Sequence, residues 1–257
     1  MSSAWAFALV YNEAPLIAYW VRHYLTFCAR AVLFVDVDTT DGTAEIARAE
    51  GADVRSWDGQ GIGLDDELFA RFASGAYKEA VGQTDWVIWV DADELLYHPS
   101  MQARLDTALE LDVTFPTTDY YVMVSDHVPE HDGQIYDDPD FQKGIYVQRN
   151  AKTMIFNPNL VTVTWEVGKH GALAVGTVTE DNGEDPLLAL HYRWLGADYL
   201  KARDAKNYAR LSHRNRAAGH GLHVHPGYNG PYTDRWAGPD PASATQILKG
   251  LVDPGQS

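Results

Sequence analysis

The sequence has little cysteine and no long apolar segment. Cys28 is the single cysteine among 257 residues, so no disulfide can form within the chain, and its apolar and aromatic surroundings are typical of a packed thiol. No apolar run approaches the roughly 18 residues that a membrane-spanning helix needs. The first ten residues, MSSAWAFALV, also lack the basic flank of a signal peptide. These absences predict a cytoplasmic protein.

Basic residues are scarce as well. Lys and Arg number 20 against 36 Asp and Glu, and the formal charge of -16 disfavours nonspecific binding to nucleic acid or to an anionic membrane. Seven of the 20 bases nevertheless lie between Arg193 and Arg216, where only Asp198 and Asp204 oppose them. This local reversal suits a phosphate-bearing ligand, and a solvated basic helix face explains it about as well.

Three short apolar runs, each followed by polar or acidic residues, organise the first half of the chain. The runs are WAFALV at 5–10, AVLFV at 31–35 and WVIWV at 86–90, and a helical pattern follows each of the first two and precedes the third. Alternating strands and helices predict a parallel sheet with right-handed crossovers. The residues after the runs then share the carboxyl edge of the sheet, where open α/β sheets bind ligands. They are Tyr11-Asn12-Glu13, Asp36 and Asp91-Ala92-Asp93-Glu94.

The second half of the chain has a different pattern. Short β-rich segments at 113–115, 120–124, 145–148, 160–165 and 187–192 alternate with Pro, Gly and Asp loops, which predicts a mixed or antiparallel sheet. A basic helix is predicted over 197–218, and the tail from Gly219 onward is predicted to be irregular. The Gly-rich loop at 59–63 lacks the G-x-G-x-x-G spacing, so it is interpreted mainly as a flexible connection.

Asp91 and Asp93 are the first candidates for a metal site. They stand two residues apart after a buried strand, so an extended backbone points both carboxylates to the same side. Carboxylate oxygens are the hard ligands that divalent cations prefer. The alternative is an acidic turn without a ligand.

Together these stretches resemble the GT-A glycosyltransferases, specifically the family 2-like group. Its members read roughly N-E-A after the first strand, D-N-G-S-T-D-G-T after the second and D-W-V-x-x-x-D-A-D-E-F at the metal strand. Here the counterparts are NEA at 12–14, DVDTTDGT at 36–43, and DWV at 85–87 with DADEL at 91–95. The HYR of 191–193, ahead of a helix, is similar to a looser H-Y feature of the group. Val37 and Asp38 depart from the pattern and leave the choice of nucleobase open.

The resemblance implies an inverting transfer of a sugar from a nucleoside diphosphate donor, with UDP expected, to a soluble small-molecule, carrier-bound or glycan acceptor. Mn²⁺ or Mg²⁺ would hold the diphosphate. The implied fold is a single α/β GT-A (Rossmann-like) domain with a mostly parallel central sheet and a smaller mixed β region. Residues 1–112 would form the nucleotide-sugar-binding half, 113–218 the acceptor half and 219–257 the irregular tail.

The implied site residues follow the matched motifs. Asp91 and Asp93 would ligate the metal, with Asp91 also near the ribose, and Asp36 would accept a hydrogen bond from the nucleobase. Tyr11 stands where a basic residue is common, so it would stack on the base instead of contacting phosphate. The expected nucleotide-sugar contacts are Tyr11, Asn12, Glu13, Asp36, Asp91, Ala92 and Asp93.

Histidines and further charged residues supply the remaining candidates. His191 follows an apolar strand and is predicted as a third metal ligand, with a hydrogen-bonded structural histidine as an equal alternative and His170 as the second candidate. Asp126 is the first choice for the general base that an inverting mechanism needs, ahead of His127, Asp119 and Glu166. Lys78, Lys169 and Arg193 are candidates for diphosphate contact or ordinary surface bases. A zinc site at His220, His223 and His225 is disfavoured, since no Cys or carboxylate lies close by.

Two other functions remain open. The stretch LFVDVDTT at 33–40 is similar to the D-x-D-x-T nucleophile motif of haloacid-dehalogenase phosphatases, with Asp36 as the phosphorylated residue. That motif normally follows the first strand, and no matching Lys and acid pair stands at later strands. The other alternative is a non-catalytic domain that binds a sugar nucleotide, against which the retention of Asp91 and Asp93 argues.

Overall fold

The computed structural model describes residues 1–169, 171–222, 225 and 244–248. The α-helices are α1 (Ala14–Leu25), α2 (Thr43–Ala49), α3 (Asp66–Ala76), α4 (Met101–Glu110), α5 (Ala197–Ala209) and α6 (His213–Ala218). The strands are β1 (Ala4–Val10), β2 (Arg30–Asp36), β3 (Asp53–Trp57), β4 (Trp86–Trp89), β5 (Glu94–Tyr97), β6 (Thr118–Ser125), β7 (Lys143–Arg149), β8 (Ile155–Phe156), β9 (Val161–Trp165), β10 (Ala172–Gly176), β11 (Leu187–Leu195) and β12 (Thr245–Gln246).

The first sheet has the strand order β3-β2-β1-β4-β8. β1 to β4 are parallel, and the two-residue β8 pairs antiparallel with β4. Side chains alternate between the two faces, as the period of two requires. Ala6 and Ala8 join a core with α1, whereas Phe7 joins a second core with α3. The prediction of an α/β protein with a mostly parallel central sheet is confirmed, and α1 and α3 pack on opposite faces of this sheet.

The second sheet is mixed and has the order β12-β7-β6-β11-β5. Only β6 and β11 are parallel in it, and the other neighbours are antiparallel. β5 starts at Glu94, five residues after β4 ends at Trp89, so the acidic segment 91–94 lies where the chain passes from the first sheet to the second. This junction brings the carboxyl end of the parallel sheet next to β11, where His191 stands opposite Glu94.

Several elements differ from the sequence predictions. Residues 113–115 form no strand and contribute one isolated bridge, between Phe115 and Glu180. The basic helix over 197–218 is divided into α5 and α6, because Arg210 and Ser212 hydrogen-bond to the backbone of Leu64 instead of continuing the helix. β5, β8 and β10 were not predicted. Most of the predicted irregular tail lies outside the described residues.

Two other expectations concern the chain as a whole. Within the described residues, no helix has the length and apolar character that crossing a bilayer requires. The division into halves at residue 112 stays a prediction.

His23 of α1 is a buried polar side chain that joins three parts of the structure. Its Nε2–H donates to the carbonyl of Leu96 in β5 at 2.7 Å, so Nδ1 accepts from the hydroxyl of Tyr136 at 3.1 Å. Burial lowers the pKa of His23 to about 4, against the hydrogen bond to Leu96, which raises it. The ring is therefore neutral in the folded protein at neutral pH.

We predict that His23 makes the protein acid-sensitive. Between pH 6.5 and about 4 the unfolded chain protonates this histidine and the folded chain does not, so the free energy of unfolding falls with decreasing pH. Urea denaturation at pH 7 and pH 4.5 should show a stability loss that is about 2 to 3 kcal/mol smaller in His23→Gln than in the wild type. The exposed His213→Gln is the control, and equal losses in all three proteins would contradict the prediction.

Candidate active site

A cleft of about 220 Å³ opens at the carboxyl edge of the parallel sheet. Six of the seven residues predicted to contact a nucleotide sugar line it, although they come from three separate loops. A helix from the second half of the chain, α5, closes the cleft with three further side chains. The six predicted residues are Tyr11, Glu13, Asp36, Asp91, Ala92 and Asp93. The three further side chains are Arg203, Asn207 and Arg210.

Three cations on one face of α5, the last of them its C-cap residue Arg210, pair with three carboxylates, one from each strand end. They are three and four residues apart, which places them on the same side of a helix, and we call them the basic row. Arg203 Nη2 lies 2.8 Å from Asp93 Oδ2, Lys206 Nζ lies 3.0 Å from Glu13 Oε1, and Arg210 Nη2 lies 2.6 Å from Asp36 Oδ2.

Asp93 is the most deeply buried of the predicted metal ligands. Its residue is 3% exposed, and its Oδ2 contacts Arg203 and also His191 Nε2, which is 3.0 Å away. Burial alone would raise the pKa of Asp93, but Arg203 and His191 hold it well below its ordinary value. Asp93 is therefore a carboxylate in the folded protein.

A second group of charges lies beside Asp91 and involves Lys152, which the sequence did not indicate. The ammonium of Lys152 contacts Glu94 Oε1 and lies 3.2 Å from Asp91 Oδ2. Burial opposes the charge on Lys152, but Glu94 and Asp91 outweigh it and raise the pKa. The hydroxyl of Tyr120 also donates to Glu94 Oε1, at 2.6 Å. Glu94 thus holds Lys152 and Tyr120 beside Asp91.

Asn12 is the one predicted nucleotide contact that does not line the cleft. Its backbone has a left-handed φ of 50°, its side-chain Oδ1 accepts from the Thr40 amide at 2.8 Å, and its carbonyl accepts from Lys206 at 2.6 Å. Asn12 therefore ties the loop after β1 to the loop after β2 and to α5. A direct contact with a nucleotide stays a prediction.

Tyr11 and Asp36 share one partner in the cleft. The guanidinium of Arg210 lies 3.5 Å from the centre of the Tyr11 ring, and it also pairs with Asp36. The other oxygen of Asp36 accepts from the Asp38 amide at 2.9 Å. Arg210, the C-cap residue of α5, thus fills the space between Tyr11 and Asp36, and a nucleobase at this position stays a prediction.

The donor set can be compared with the needs of a divalent metal. Asp93 Oδ2 and His191 Nε2 are 3.0 Å apart, and the Asp91 side chain is 38% exposed at the same cleft. Within the described residues, no group of three or more His, Cys, Asp and Glu side chains is placed to hold a metal. These residues offer a cation at most two close protein ligands, so substrate and water would have to supply the others, and the metal site stays a prediction.

The candidate general bases lie away from the cleft. The side chain of Asp126 is 97% exposed and its pKa is lowered by a hydrogen bond from His127 Nδ1, 2.6 Å away. A general base works best with a pKa near the operating pH, so these features give Asp126 no support, and its role stays a prediction. Asp119 pairs with Arg149 at 2.8 Å, and Glu166 is exposed.

The other sequence candidates are also placed elsewhere or lie outside the described residues. Lys78 lines a separate groove near Val81, and Arg193 on β11 does not line the cleft. His220 is exposed, whereas the ring of His225 packs on Tyr208 with ring centres 4.4 Å apart. The Lys169 side chain, His170 and His223 are outside the described residues.

Four charged residues of the site were not predicted, and the sequence carries a local signal for three of them. Arg203, Lys206 and Arg210 belong to the basic segment of 193–216, and their spacing of three and four is a helical signal that was available. Lys152 stands alone in a loop between β7 and β8. Nothing in its local sequence indicates that it meets two carboxylates about 60 residues away.

No protein-family model and no curated protein matches the chain. Similar solved structures include glucosyl-3-phosphoglycerate synthase from Mycobacterium tuberculosis with Mn²⁺, UDP and glucosyl-3-phosphoglycerate, at 16% identity and a TM-score of 0.31 over 47% of this chain and 44% of that one. The same enzyme with Mn²⁺, UDP-glucose and phosphoglyceric acid gives 18% and 0.32 over the same shares. CMP:2-keto-3-deoxy-manno-octonic acid synthetase with CTP gives 11% and 0.36 over 62% of this chain and 75% of that one. Similarities this low decide neither the fold nor the function, which rest on the geometry above.

We predict that Arg203 is required to keep the buried charge of Asp93. Arg203→Met keeps much of the side-chain volume but leaves a buried carboxylate without its cation, which should lower the free energy of unfolding by about 3 kcal/mol in urea denaturation. Arg71→Met is the control, because Arg71 pairs with Glu67 at the surface and is 74% exposed. An Arg203→Met protein no less stable than Arg71→Met would contradict the prediction.

Proposed function

We propose that the chain is a metal-dependent, inverting glycosyltransferase of the GT-A type, which moves a sugar from a nucleoside diphosphate, UDP in the first instance, to a soluble acceptor. One observation carries the proposal. The carboxyl ends of three parallel strands bring Tyr11, Glu13, Asp36, Asp91 and Asp93 into one cleft. This is the edge at which open α/β sheets bind nucleotides.

The charges of the cleft support an anionic donor despite the acidic composition. Arg203 and Arg210 of the basic row line the cleft, and Lys206 pairs with Glu13. Asp93 and His191 would hold a divalent metal, with Asp91 between metal and ribose. The metal, when bound, neutralises the charge that develops on the leaving diphosphate. Ala92, which is buried between the two acids, would let the donor approach the backbone.

Donor binding requires a rearrangement at the nucleobase position. The cleft of about 220 Å³ is smaller than the roughly 300 to 1,000 Å³ of typical ligand pockets. Arg210 occupies the space between Tyr11 and Asp36. In the proposed complex Arg210 leaves this position for the diphosphate, Asp36 accepts a hydrogen bond from the base, and Tyr11 stacks on it.

The acceptor side of the reaction rests on the sequence alone. An inverting transfer needs a base within hydrogen-bond reach of the acceptor hydroxyl, and Asp126 remains the proposal for it. The soluble acceptor and the cytoplasmic location are likewise proposed from the sequence. Acceptor specificity would come from the second half of the chain, where the resemblance is weakest.

The phosphatase alternative gains no support from the geometry. A nucleophilic aspartate needs an accessible carboxylate oxygen. Asp36 is 4% exposed, and its two oxygens are engaged by Arg210 and by the Asp38 amide. A domain that binds a sugar nucleotide without turnover would share the cleft, and only an assay of sugar transfer separates it from the proposed enzyme.

We predict Mn²⁺-dependent binding of a nucleoside diphosphate. Calorimetry should detect UDP binding only with Mn²⁺, and a sugar nucleotide at 100 times its dissociation constant should stabilise the fold by roughly 2.7 kcal/mol. Asp93→Asn should abolish the Mn²⁺ dependence, whereas Asp198→Asn, exposed on the first turn of α5, should not. If no nucleoside diphosphate binds the wild type with Mn²⁺, the proposed function is wrong.

A second prediction separates the base from the diphosphate. Arg210→Met should bind uridine at least as tightly as the wild type, because Asp36 and Tyr11 are released, and should bind UDP more weakly by about tenfold, because a diphosphate contact is lost. Calorimetry with both ligands gives the comparison, with Arg216→Met on α6 as the control. Parallel changes for uridine and UDP would contradict the proposed movement of Arg210.

A further inference from the structure

Five side chains form a continuous hydrogen-bonded chain beneath the cleft, across the neighbouring strands β5, β11 and β6. It starts at Lys152 and passes through Glu94, Tyr120 and His191 to Asp93. Tyr120 Oη lies 2.6 Å from Glu94 Oε1 and 2.7 Å from His191 Nδ1, and His191 Nε2 lies 3.0 Å from Asp93 Oδ2. Glu94 is 1% exposed and Tyr120 is 6% exposed, so water cannot replace these contacts freely.

The direction of the chain is fixed at Glu94. Both of its oxygens act as acceptors: Oε1 accepts from the ammonium of Lys152, and Oε2 accepts from the Asp91 amide, 3.0 Å away. Tyr120 has a single hydroxyl proton, and burial together with Glu94 raises its pKa, so that proton stays on the oxygen. Because both oxygens of Glu94 are acceptors, Tyr120 donates this proton to Glu94 Oε1.

The direction then passes to His191. Since the only proton of Tyr120 is directed at Glu94, its oxygen accepts from His191, and Nδ1 of His191 must carry a proton. In the neutral ring Nε2 is then a bare lone pair. It faces Asp93 Oδ2 at 3.0 Å, which is an acceptor as well. A proton on Nε2 would be donated to Asp93, and Arg203 already donates to the same oxygen at 2.8 Å, so a metal ion that takes Nε2 and Oδ2 as ligands replaces both of these donors.

We propose that Tyr120 is a positioning residue: held by Glu94, it fixes His191 as the Nδ1–H tautomer and thereby makes His191 Nε2 and Asp93 Oδ2 a pair of atoms that binds one cation. The identity of that cation as a divalent metal rests on the proposed function, whereas the tautomer does not. Hydrogen bonds to the outer nitrogen of a ligating histidine commonly set its tautomer and orientation in this way.

The chain offers a matched pair of variants. Tyr120→Phe removes the acceptor for Nδ1–H and keeps the ring that packs edge-on against His191, with ring centres 5.6 Å apart. Tyr121→Phe is the same change one residue further along β6, where the ring packs on Tyr146 instead. The two variants therefore share the type of substitution and differ in the hydrogen bonds to His191 and Glu94.

Nitrogen NMR of histidine-labelled, metal-free protein reads the tautomer directly. We expect neutral His191 to be the Nδ1–H form in the wild type and in Tyr121→Phe. In Tyr120→Phe we expect the Nε2–H form, which can donate to Asp93. Titration with Mn²⁺ alone should give an affinity at least about tenfold weaker for Tyr120→Phe, and one within about twofold of the wild type for Tyr121→Phe.

A double-variant cycle tests the coupling. If Tyr120 acts through His191, then Tyr120→Phe should weaken Mn²⁺ binding no further once His191→Gln has removed Nε2. An unchanged tautomer in Tyr120→Phe overturns the positioning role. A changed tautomer with an unchanged Mn²⁺ affinity overturns the cation pair.

Two outcomes separate the positioning role of Tyr120 from the proposed glycosyltransferase function. Nδ1–H tautomer and Mn²⁺ binding without any sugar-nucleotide binding would support the positioning role and overturn the glycosyltransferase. Metal-dependent UDP binding that Tyr120→Phe leaves intact would overturn the positioning role alone.

Discussion

The pairing of the basic row with the carboxylates at the strand ends is the interaction on which the candidate site depends. A buried carboxylate is costly without a partner, and the parallel sheet ends in Glu13, Asp36 and Asp93, each at most 14% exposed at its side chain. None of the cations in these three pairs comes from the first half of the chain. All three cations belong to the basic row, in the second half of the chain. The carboxylates in the donor half of the proposed enzyme therefore have these partners only when the second half is folded against it.

This pairing affects the free energy of ligand binding. Each cation of the basic row already pairs with a carboxylate before any ligand binds. A nucleoside diphosphate would exchange one carboxylate partner for a phosphate, and the gain is the difference between two charged hydrogen bonds. Each released carboxylate then needs a new partner. A nucleobase N–H can serve Asp36 and a divalent cation can serve Asp93, which gives a physical reason for a metal in a cleft that already contains Arg203 and Arg210.

The sequence was sufficient where the structure depends on local patterns and insufficient where it depends on distant contacts. The apolar runs at 5–10, 31–35 and 86–90 predicted the parallel strands, because buried strands of a parallel sheet are apolar on both faces. β5 was missed, since its four residues extend an acidic motif and form a strand only by pairing with β11. The helix over 197–218 was predicted as one because the break at 210–212 is caused by Leu64, far away in the chain. Lys152 and Tyr120 had no local signal for the same reason.

His191 shows how the two readings that the sequence left open can be compatible. A structural histidine and a metal ligand are usually treated as alternatives, but an imidazole has two nitrogens. Here Nδ1 has a structural partner, Tyr120, and Nε2 points at the carboxylate predicted to hold the metal. In the neutral ring, the hydrogen bond on one side determines whether the other side is a donor or a lone pair. The Tyr120 hydroxyl donates to Glu94, so its oxygen accepts from Nδ1 of His191 and leaves Nε2 for a cation. Glu94, the last acid of the motif at 91–94, therefore sets the tautomer of His191.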